Sequence, residues 1–221
     1  LNPMFYYVLV FIATILFALQ FLFNQKFENV RGSDLKSALE FTLYKNIIIV
    51  IIMLVISGFK IVFTPFSAIL SVVYAAACIL MTYFSMKAFA VANLSVYSIF
   101  AMLGGMLLPF AYGVIFGGED FSAAKAICVL LIGIATALSF EKGKGKGKNK
   151  NIKYYFAVFI LNGLVGVLSA IHQSKNGEAV DSGSFMATVN ICTFVICLLY
   201  HLNKNKKIPL LPIKEVGNLS C

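Results

Sequence analysis

Long apolar stretches separated by short polar joints dominate the chain. Several are about 20 residues long, the length that crosses a hydrocarbon core of about 30 Å as an α-helix. No stretch alternates apolar and polar residues with a period of two, as the strands of a membrane barrel would. The pattern predicts seven membrane-spanning helices, at residues 4–23, 39–56, 66–86, 95–116, 121–140, 154–171 and 185–200.

The composition points to the same class of protein. The chain is 60% hydrophobic and only 12% charged, whereas soluble domains are about 45–50% apolar and about 25% charged. A water-soluble fold of this length could not cover so much apolar surface. We therefore predict an all-α integral membrane protein that crosses the cytoplasmic membrane several times and has the lipid bilayer as its partner.

The basic residues favour a topological role over nucleic-acid binding. The net charge of +9 comes mainly from Lys and Arg in the joints between apolar stretches, where such residues set membrane orientation. Loops one, three, five and seven hold 15 of them and loops two, four and six hold 3. This asymmetry predicts a cytoplasmic Lys/Gly linker at residues 141–150 and an external N-terminus.

Cysteine and histidine give no sign of metal or disulfide chemistry. Four of the five cysteines lie inside apolar stretches, and the fifth is the last residue. Neither they nor the two histidines show a metal-binding or disulfide spacing. We predict no metal and no cofactor. No Ser/His/Asp set or carboxylate pair occurs at a plausible depth, so we also predict that the protein is not an enzyme.

A short sequence repeat organises the chain. Residues 6–12 read YYVLVFI and residues 154–160 read YYFAVFI, about 148 positions later. At this offset, residues 6–25 and 154–173 are identical at seven positions. Five predicted spans lie between the two starts, and an odd number of spans inverts the second copy in the bilayer. Inverted repeats are typical of secondary transporters; two unrelated Phe/Val/Ile-rich helices are the alternative.

The repeat predicts a helical bundle built on five-plus-five inverted repeats. The first five-helix repeat covers residues 1–140, the linker covers 141–153, and the second repeat starts in 154–221. Only two spans of the second repeat are present, so we expect this repeat to be incomplete and the chain to stop after the seventh of ten spans.

Polar residues inside the spans are the candidates for function, because they need partners that lipid cannot supply. The sequence places Glu40 and Lys45 near the start of the second span and Glu119 in a joint, and no carboxylate lies mid-span. The uncharged polar residues face either a watery cavity or, as the alternative, another helix. The preferred cavity residues are Gln20, Asn24, Tyr83, Tyr97, Ser98 and Asn162.

Small residues predict close helix contacts. Gly113 and Gly117 form a GxxxG pattern, and Ala101 and Gly105 have the same small-residue spacing. Packing within the monomer is the simpler interpretation, and a homodimer face is the other. Pro109 lies within the fourth span, where it removes a backbone hydrogen bond and can kink the helix.

Several of these features together resemble the EamA-type domain of the drug/metabolite transporter superfamily. They are YFSMKAFAVANLS at residues 83–95, then Pro109, GGEDFS at residues 117–122 and Gly133, with Lys45 where the family often has a basic residue. Residues 4–140 resemble one repeat of this family, and residues 154–201 resemble the first two spans of a second.

The resemblance implies ten spans around a central cavity, which binds a small-molecule substrate and moves it by alternating access. It implies that Lys45, Pro109, Gly117 and Glu119 are structural positions of the repeat, and the GxxxG pattern adds Gly113 to these structural positions. It also implies a cytoplasmic N-terminus, the opposite of the lysine distribution. A lipid or lipid-linked sugar carrier of the same superfamily is the alternative, and a non-transporting membrane-protein partner is another.

Overall fold

The computed structural model describes residues 3–90, 94–118, 122–139, 152–175 and 177–205. All regular structure within these ranges is helical. The helices are α1 (Pro3–Arg31), α2 (Leu35–Ile56), α3 (Pro65–Phe89), α4 (Leu94–Ile115), α5 (Ala123–Ser139), α6 (Ile152–Ser174) and α7 (Ser182–Asn205).

The seven predicted spans correspond to these seven helices, but most of the helices are longer than predicted. The largest difference is α1, which continues to Arg31 through a polar stretch that the sequence analysis treated as a loop. Phe21, Asn24, Phe27 and Glu28 are buried along this part of the helix. Their spacing of three and four residues places them on one helical face, so the polar residues extend a packed helix instead of ending it.

Local capping explains where α2 and α3 begin. Asp34 precedes α2 and its carboxylate accepts a hydrogen bond from the backbone N–H of Ser37. Thr64 does the same for α3 through the N–H of Ser67, and Pro65 stands at the first helical position, where no N–H is needed. These contacts satisfy backbone donors that the first turn of a helix leaves unpaired.

Five helices form the packed part of the protein. The most extensive contact is between α4 and α6, and α6 also packs against α3. On the other side of α3, α7 packs against both α3 and α2. In contrast, the only substantial contact of α5 with another described helix is with α4. Helix α1 is exposed over residues 4–20. The interior therefore lies around α3, between α2, α6 and α7.

Helices α1 and α6 run in opposite directions, and so do α2 and α7. The C-terminal part of α1 and the start of α6 meet in one cluster, which includes Phe21 and Tyr155. The start of α2 meets the end of α7, because Glu40 interacts with His201. At the other end of the bundle, Ser184 at the start of α7 accepts a hydrogen bond from the backbone N–H of Val62, at 3.2 Å.

Six of the seven helices are long and apolar enough to cross a membrane. The remaining one, α5, is described over 17 residues, which corresponds to about 26 Å at the helical rise. For the described residues, the prediction of an all-helical, multi-pass membrane protein is therefore confirmed at the level of helix length and composition.

Candidate functional site

Lys45 lies midway along α2, at about 15 Å from either end of the helix. The sequence analysis placed it near the start of the second span, because the polar residues before Leu39 looked like a loop. The structure extends α2 back to Leu35, so Lys45 lies at the middle of the helix. An ionisable side chain within a membrane-spanning helix is costly and is by default a candidate for function.

The surroundings of Lys45 are built by three helices. Lys45 lies near the thiols of Cys78 on α3 and Cys197 on α7. Thr42 lies three residues before Lys45, within one turn of it, and Asn46 lies one turn after Thr42 on the buried face of α2. We call these five residues the Lys45 cluster. It contains one formal positive charge and no carboxylate.

The polar groups around Lys45 are hydrogen-bonded to their own helix. The hydroxyl of Thr42 donates to the backbone carbonyl oxygen of Ala38 at 2.7 Å. The side-chain amide of Asn46 donates to the backbone carbonyl oxygen of Thr42 at 2.8 Å. One turn along α3 and α7 from the two thiols, Thr82 and Thr193 also donate to backbone carbonyls of their own helices. Each of these side chains therefore donates a hydrogen bond within its own helix. Their oxygen lone pairs can still accept a hydrogen bond from a bound molecule.

Lys45 itself has no ion pair and no hydrogen bond within the described ranges. Its side chain retains part of its accessible surface. The preceding and following residues Thr42, Leu43 and Asn46 are almost completely buried, at 1%, 1% and 2% exposure. Ile48 and Ile52, three and seven residues after Lys45 on its helical face, are exposed.

Tyr97, a predicted cavity residue, lies in a dense aromatic cluster. Its hydroxyl is 2.8 Å from the hydroxyl of Ser85. Its ring packs at 4.2 Å from that of Phe89 and at 5.2 Å from that of Phe21, edge to face. Only 1% of the residue is exposed. In this structure Tyr97 joins α1, α3 and α4, which is a packing role.

Two predicted residues of α1 have different surroundings. Gln20 is exposed, because the first two thirds of α1 have few contacts with other helices. Asn24, one turn later, is buried at 7% exposure, and its side-chain oxygen Oδ1 has no hydrogen-bond partner in the described part of the chain. The helix spacing was read correctly, but only one of the two residues faces protein.

The remaining predicted residues lie on α3, α4 and α6. Tyr83 is half-buried beside Phe84, and the ammonium of Lys87 lies 5.8 Å from the centre of its ring. Ser98 is partly buried on α4. The side-chain amide of Asn162 donates to the carbonyl oxygen of Ala101, which ties α6 to α4. Their assignment to a substrate cavity stays a prediction.

The glycines that join α4 to α6 differ from the predicted GxxxG pair. Gly113 is buried within α4, but Gly117 is exposed and follows the end of the helix. The close approach instead involves Gly104 and Gly163. A Cβ placed on Gly104 would overlap the backbone carbonyl of Phe159, and a Cβ placed on Gly163 would lie 2.7 Å from the carbonyl oxygen of Gly104. The paired small residues on α6 were the signal that the sequence analysis did not use.

Two other motif residues complete the comparison. Pro109 lies inside α4, and its ring faces Gly166 of α6. Its missing backbone N–H does not end the helix, which continues to Ile115. Glu119 lies outside the described residues.

A histidine at the opposite end of the bundle from Glu40 was not among the predicted site residues. The ring of His172 on α6 stacks on Phe185 of α7, with centroids 3.8 Å apart, and its Nε2 is 3.0 Å from the hydroxyl of Ser67 on α3. Only 1% of His172 is exposed. This set joins three helices through ring stacking and one side-chain hydrogen bond, which is a packing role.

Charged residues gather where α2 begins. Glu40 is buried, at 4.0 Å from the guanidinium of Arg31 and 3.9 Å from the ammonium of Lys36. The hydrogen bonds from Ser37 hold the pKa of Asp34 below its usual value. No group of three or more His, Cys, Asp and Glu side chains in the described ranges could hold a metal ion.

Comparison with known proteins adds no family. The scan against protein-family models finds no match for this chain, and the search of curated proteins also finds none. The resemblance to EamA-type transporters therefore depends on the residues quoted for it, and the arrangement around Lys45 must be interpreted from its own chemistry.

Proposed function

We propose that the protein is a membrane transporter of the EamA type, which moves a small molecule across the cytoplasmic membrane by alternating access. In this proposal, the two sequence copies form inverted repeats, and the substrate binds between them. Transporters of this kind place their binding sites near the bilayer midplane, at the interface between the repeats.

The helix directions support the inverted repeat. The first helices of the copies, α1 and α6, run in opposite directions, and so do the second helices, α2 and α7. The second helices also begin alike. Asp34 accepts a hydrogen bond from the N–H of Ser37 at 3.4 Å, and Asp181 accepts one from the N–H of Ser184 at 2.8 Å. Two unrelated apolar helices would not be expected to share this capping pattern as well as the YY start.

The observation that carries the proposal is the position of Lys45. It lies midway along α2, near a thiol of α7, and these are the helices that the proposal pairs as the second helices of the two repeats. A charge held there without a carboxylate is difficult to explain as a packing feature, since an apolar residue would cost less. A site for a transported solute explains both its position within the helix and its lack of a partner.

Flux through sealed vesicles tests the proposal. The purified full chain is reconstituted in liposomes loaded with a mixture of labelled small metabolites, and release is compared with that from protein-free liposomes. Protein-dependent release of a defined compound is expected, and release equal to that of empty liposomes would contradict transport. A lipid carrier would instead move labelled lipid between leaflets, and a non-transporting partner protein would do neither.

The predicted cavity residues are tested in the same assay. We expect Gln20→Ala and Tyr83→Ala to lower flux without lowering expression. Tyr7→Ala serves as the control, because Tyr7 lies near the start of α1 and is not a predicted cavity residue. Flux at the wild-type level in both cavity variants would remove Gln20 and Tyr83 from the site.

Membrane orientation needs a separate measurement. The 15 basic residues of loops one, three, five and seven include Lys45, which lies inside α2. Without Lys45, these loops hold 14 basic residues, and loops two, four and six hold 3. The asymmetry still predicts a cytoplasmic linker, in conflict with the family expectation. A reporter fused after Lys150 is expected to be active on the cytoplasmic side; external activity would favour the family orientation.

A further inference from the structure

We infer that one end of the bundle binds the headgroups of anionic phospholipids through Lys153 and Tyr154 on α6 and through Tyr200 and Lys204 on α7. We call these four residues the Lys–Tyr surface. The inference names a lipid class that the sequence pattern does not specify, and it does not depend on the transport proposal.

The Lys–Tyr surface lies where α1, α3 and α7 end and where α2, α4 and α6 begin. One aromatic cluster joins four of these helices at this end, with Phe21, Phe89, Tyr97 and Tyr155. Three residues separate the end of α1 from the start of α2. The end of α7 belongs to the same group, because His201 lies near Glu40 of α2. We call this part of the molecule the basic end.

In both pairs of the surface, a lysine ammonium lies over a tyrosine ring. The ammonium of Lys153 is 5.0 Å from the ring centre of Tyr154. The ammonium of Lys204 is 5.4 Å from the ring centre of Tyr200, and it donates a hydrogen bond to the hydroxyl of Tyr200 at 3.1 Å. Both tyrosines are half-buried, and both lysines are exposed. Each pair therefore holds an exposed charge above a half-buried ring.

The order of residues in the pairs follows the end of the bundle and not the direction of the chain. Helix α6 begins at the basic end, and there Lys153 precedes Tyr154. Helix α7 ends at the basic end, and there Lys204 follows Tyr200 by one turn. In both helices the lysine is thus nearer the end than its tyrosine. At a membrane surface tyrosine rings lie at the level of the headgroups and lysines extend their charge toward water, so two helices of opposite direction present the same interfacial arrangement.

The charge of the Lys–Tyr surface defines the lipid class. Neither Lys153 nor Lys204 has a carboxylate within ion-pair distance in the described ranges. At the same end, the carboxylates of Glu28 and Glu40 belong to buried residues, at 8% and 6% exposure. The exposed charge of the surface is therefore positive. Lysines near a membrane surface attract anionic headgroups, which supply the complementary charge.

A third pair at the basic end has a different environment. The ammonium of Lys87 on α3 lies 5.8 Å from the ring centre of Tyr83, and this lysine is again nearer the end than its tyrosine. However, Lys87 also lies near Glu28 and Asp34. Part of its charge is therefore balanced within the protein, and this pair does not belong to the Lys–Tyr surface.

The opposite end of the bundle has tyrosines without lysine partners. Tyr6 and Tyr7 on α1 and Tyr112 on α4 lie near that end, and within the described ranges no lysine ammonium lies over their rings. An exposed lysine of that end, Lys175, lies 5.8 Å from the ring centre of Phe66. Tyrosines at both ends with lysine partners at one end are expected of a membrane protein whose basic end meets the more anionic leaflet.

The test compares thermal unfolding of the full chain in phosphatidylcholine nanodiscs and in nanodiscs that also contain phosphatidylglycerol. A thiol-reactive dye reports unfolding, because Cys197 is completely buried in the fold. The anionic lipid is expected to raise the unfolding midpoint by about 2–8 °C, the range for one or two lysines close to an anionic surface in a chain of this length. Inorganic phosphate, added to phosphatidylcholine nanodiscs at constant ionic strength, is the probe for a soluble anion and should give no shift.

Substitutions at both ends of the bundle give the comparison. The combined change Lys153→Met and Lys204→Met should remove at least half of the lipid-dependent shift, since the lysines of the linker at residues 141–150 remain. The combined change Lys153→Arg and Lys204→Arg should retain the shift, because arginine keeps the charge. Lys175→Met is the matched control, since it removes an exposed lysine that lies over an aromatic ring at the opposite end. It should retain the full shift.

Each alternative result has a defined meaning. Absence of a shift in the wild type, or an undiminished shift in the double-methionine variant, overturns the Lys–Tyr surface. A loss in Lys175→Met as large as that in the double-methionine variant also overturns it, because the lipid would then prefer neither end. A shift with inorganic phosphate as large as that with phosphatidylglycerol overturns the assignment to a lipid. These measurements do not involve flux, so their outcome leaves the transport proposal unaffected.

Discussion

The contact between α4 and α6 should fail when a single methyl group is added at Gly104. A Cβ at this position would overlap the backbone carbonyl of Phe159, well inside the 3.4 Å at which ordinary contact begins. The neighbour is backbone and cannot rotate away, so α4 and α6 must separate by roughly 1 Å or the helices must bend. Overpacking of this kind costs about 1–3 kcal/mol.

A second loss adds to this cost. Separation of the helices weakens the hydrogen bond from Asn162 to the carbonyl of Ala101, and interhelical side-chain hydrogen bonds in membranes contribute about 0.6 kcal/mol on average. The total for Gly104→Ala is therefore about 2–3 kcal/mol. For a chain of this length, a change of that size lowers the midpoint of thermal unfolding by about 4–12 °C.

The assay is thermal unfolding of purified protein in nanodiscs, with Gly133→Ala as the control. Gly133 lies in α5, and a Cβ placed there meets no atom within 4 Å. The control should unfold at or slightly above the wild-type midpoint, because alanine is the better helix former by up to about 1 kcal/mol. Equal midpoints for the two variants would refute the close α4–α6 contact.

Three further substitutions test local contacts in the same way. Asp34→Ala should lower the free energy of unfolding by about 1 kcal/mol, because it removes the cap of α2. The pKa of Asp34 is lowered in the fold. The stability advantage of the wild type over this variant should therefore persist above pH 4 and disappear as the pH falls through that lowered pKa. Ser67→Ala removes the hydroxyl beside His172 and should cost about 1–3 kcal/mol, with unchanged stability contradicting the contact. Tyr97→Phe removes the 2.8 Å contact with Ser85 and should cost about 1 kcal/mol without lowering flux; a large flux defect would return Tyr97 to the substrate site.

Helix existence could be predicted from the sequence because hydrophobic length determines it. The helix ends could not, since they depend on tertiary packing. Glu28 illustrates the difference: a carboxylate after an apolar stretch predicts a loop, yet Glu28 is buried at 8% exposure on the extended α1. The partner surface that makes this helical turn favourable belongs to α2 and α3, and its position is not encoded near Glu28.

The same limit applies to the candidate site. Asn162 was identified as a polar residue that needs a partner, and it has one, the carbonyl of Ala101. Whether that partner would be protein or solvent depended on which helix lies opposite Asn162. The sequence pattern does not show which helices are neighbours. Gly163 could have been found, because a small residue one position after a polar one on an apolar helix predicts a close backbone approach.

Lys45 shows how a helix boundary changes the interpretation of a charged residue. A start at Leu39 places Lys45 less than two turns into the helix, where a lysine is an ordinary interfacial residue that counts toward topology. A start at Leu35, fixed by the Asp34 cap, places Lys45 midway along the helix. The capping pair Asp34 and Ser37 was legible in the sequence. Helix caps next to apolar stretches therefore carry information about depth, and depth determines whether a charge is part of the topology or part of the site.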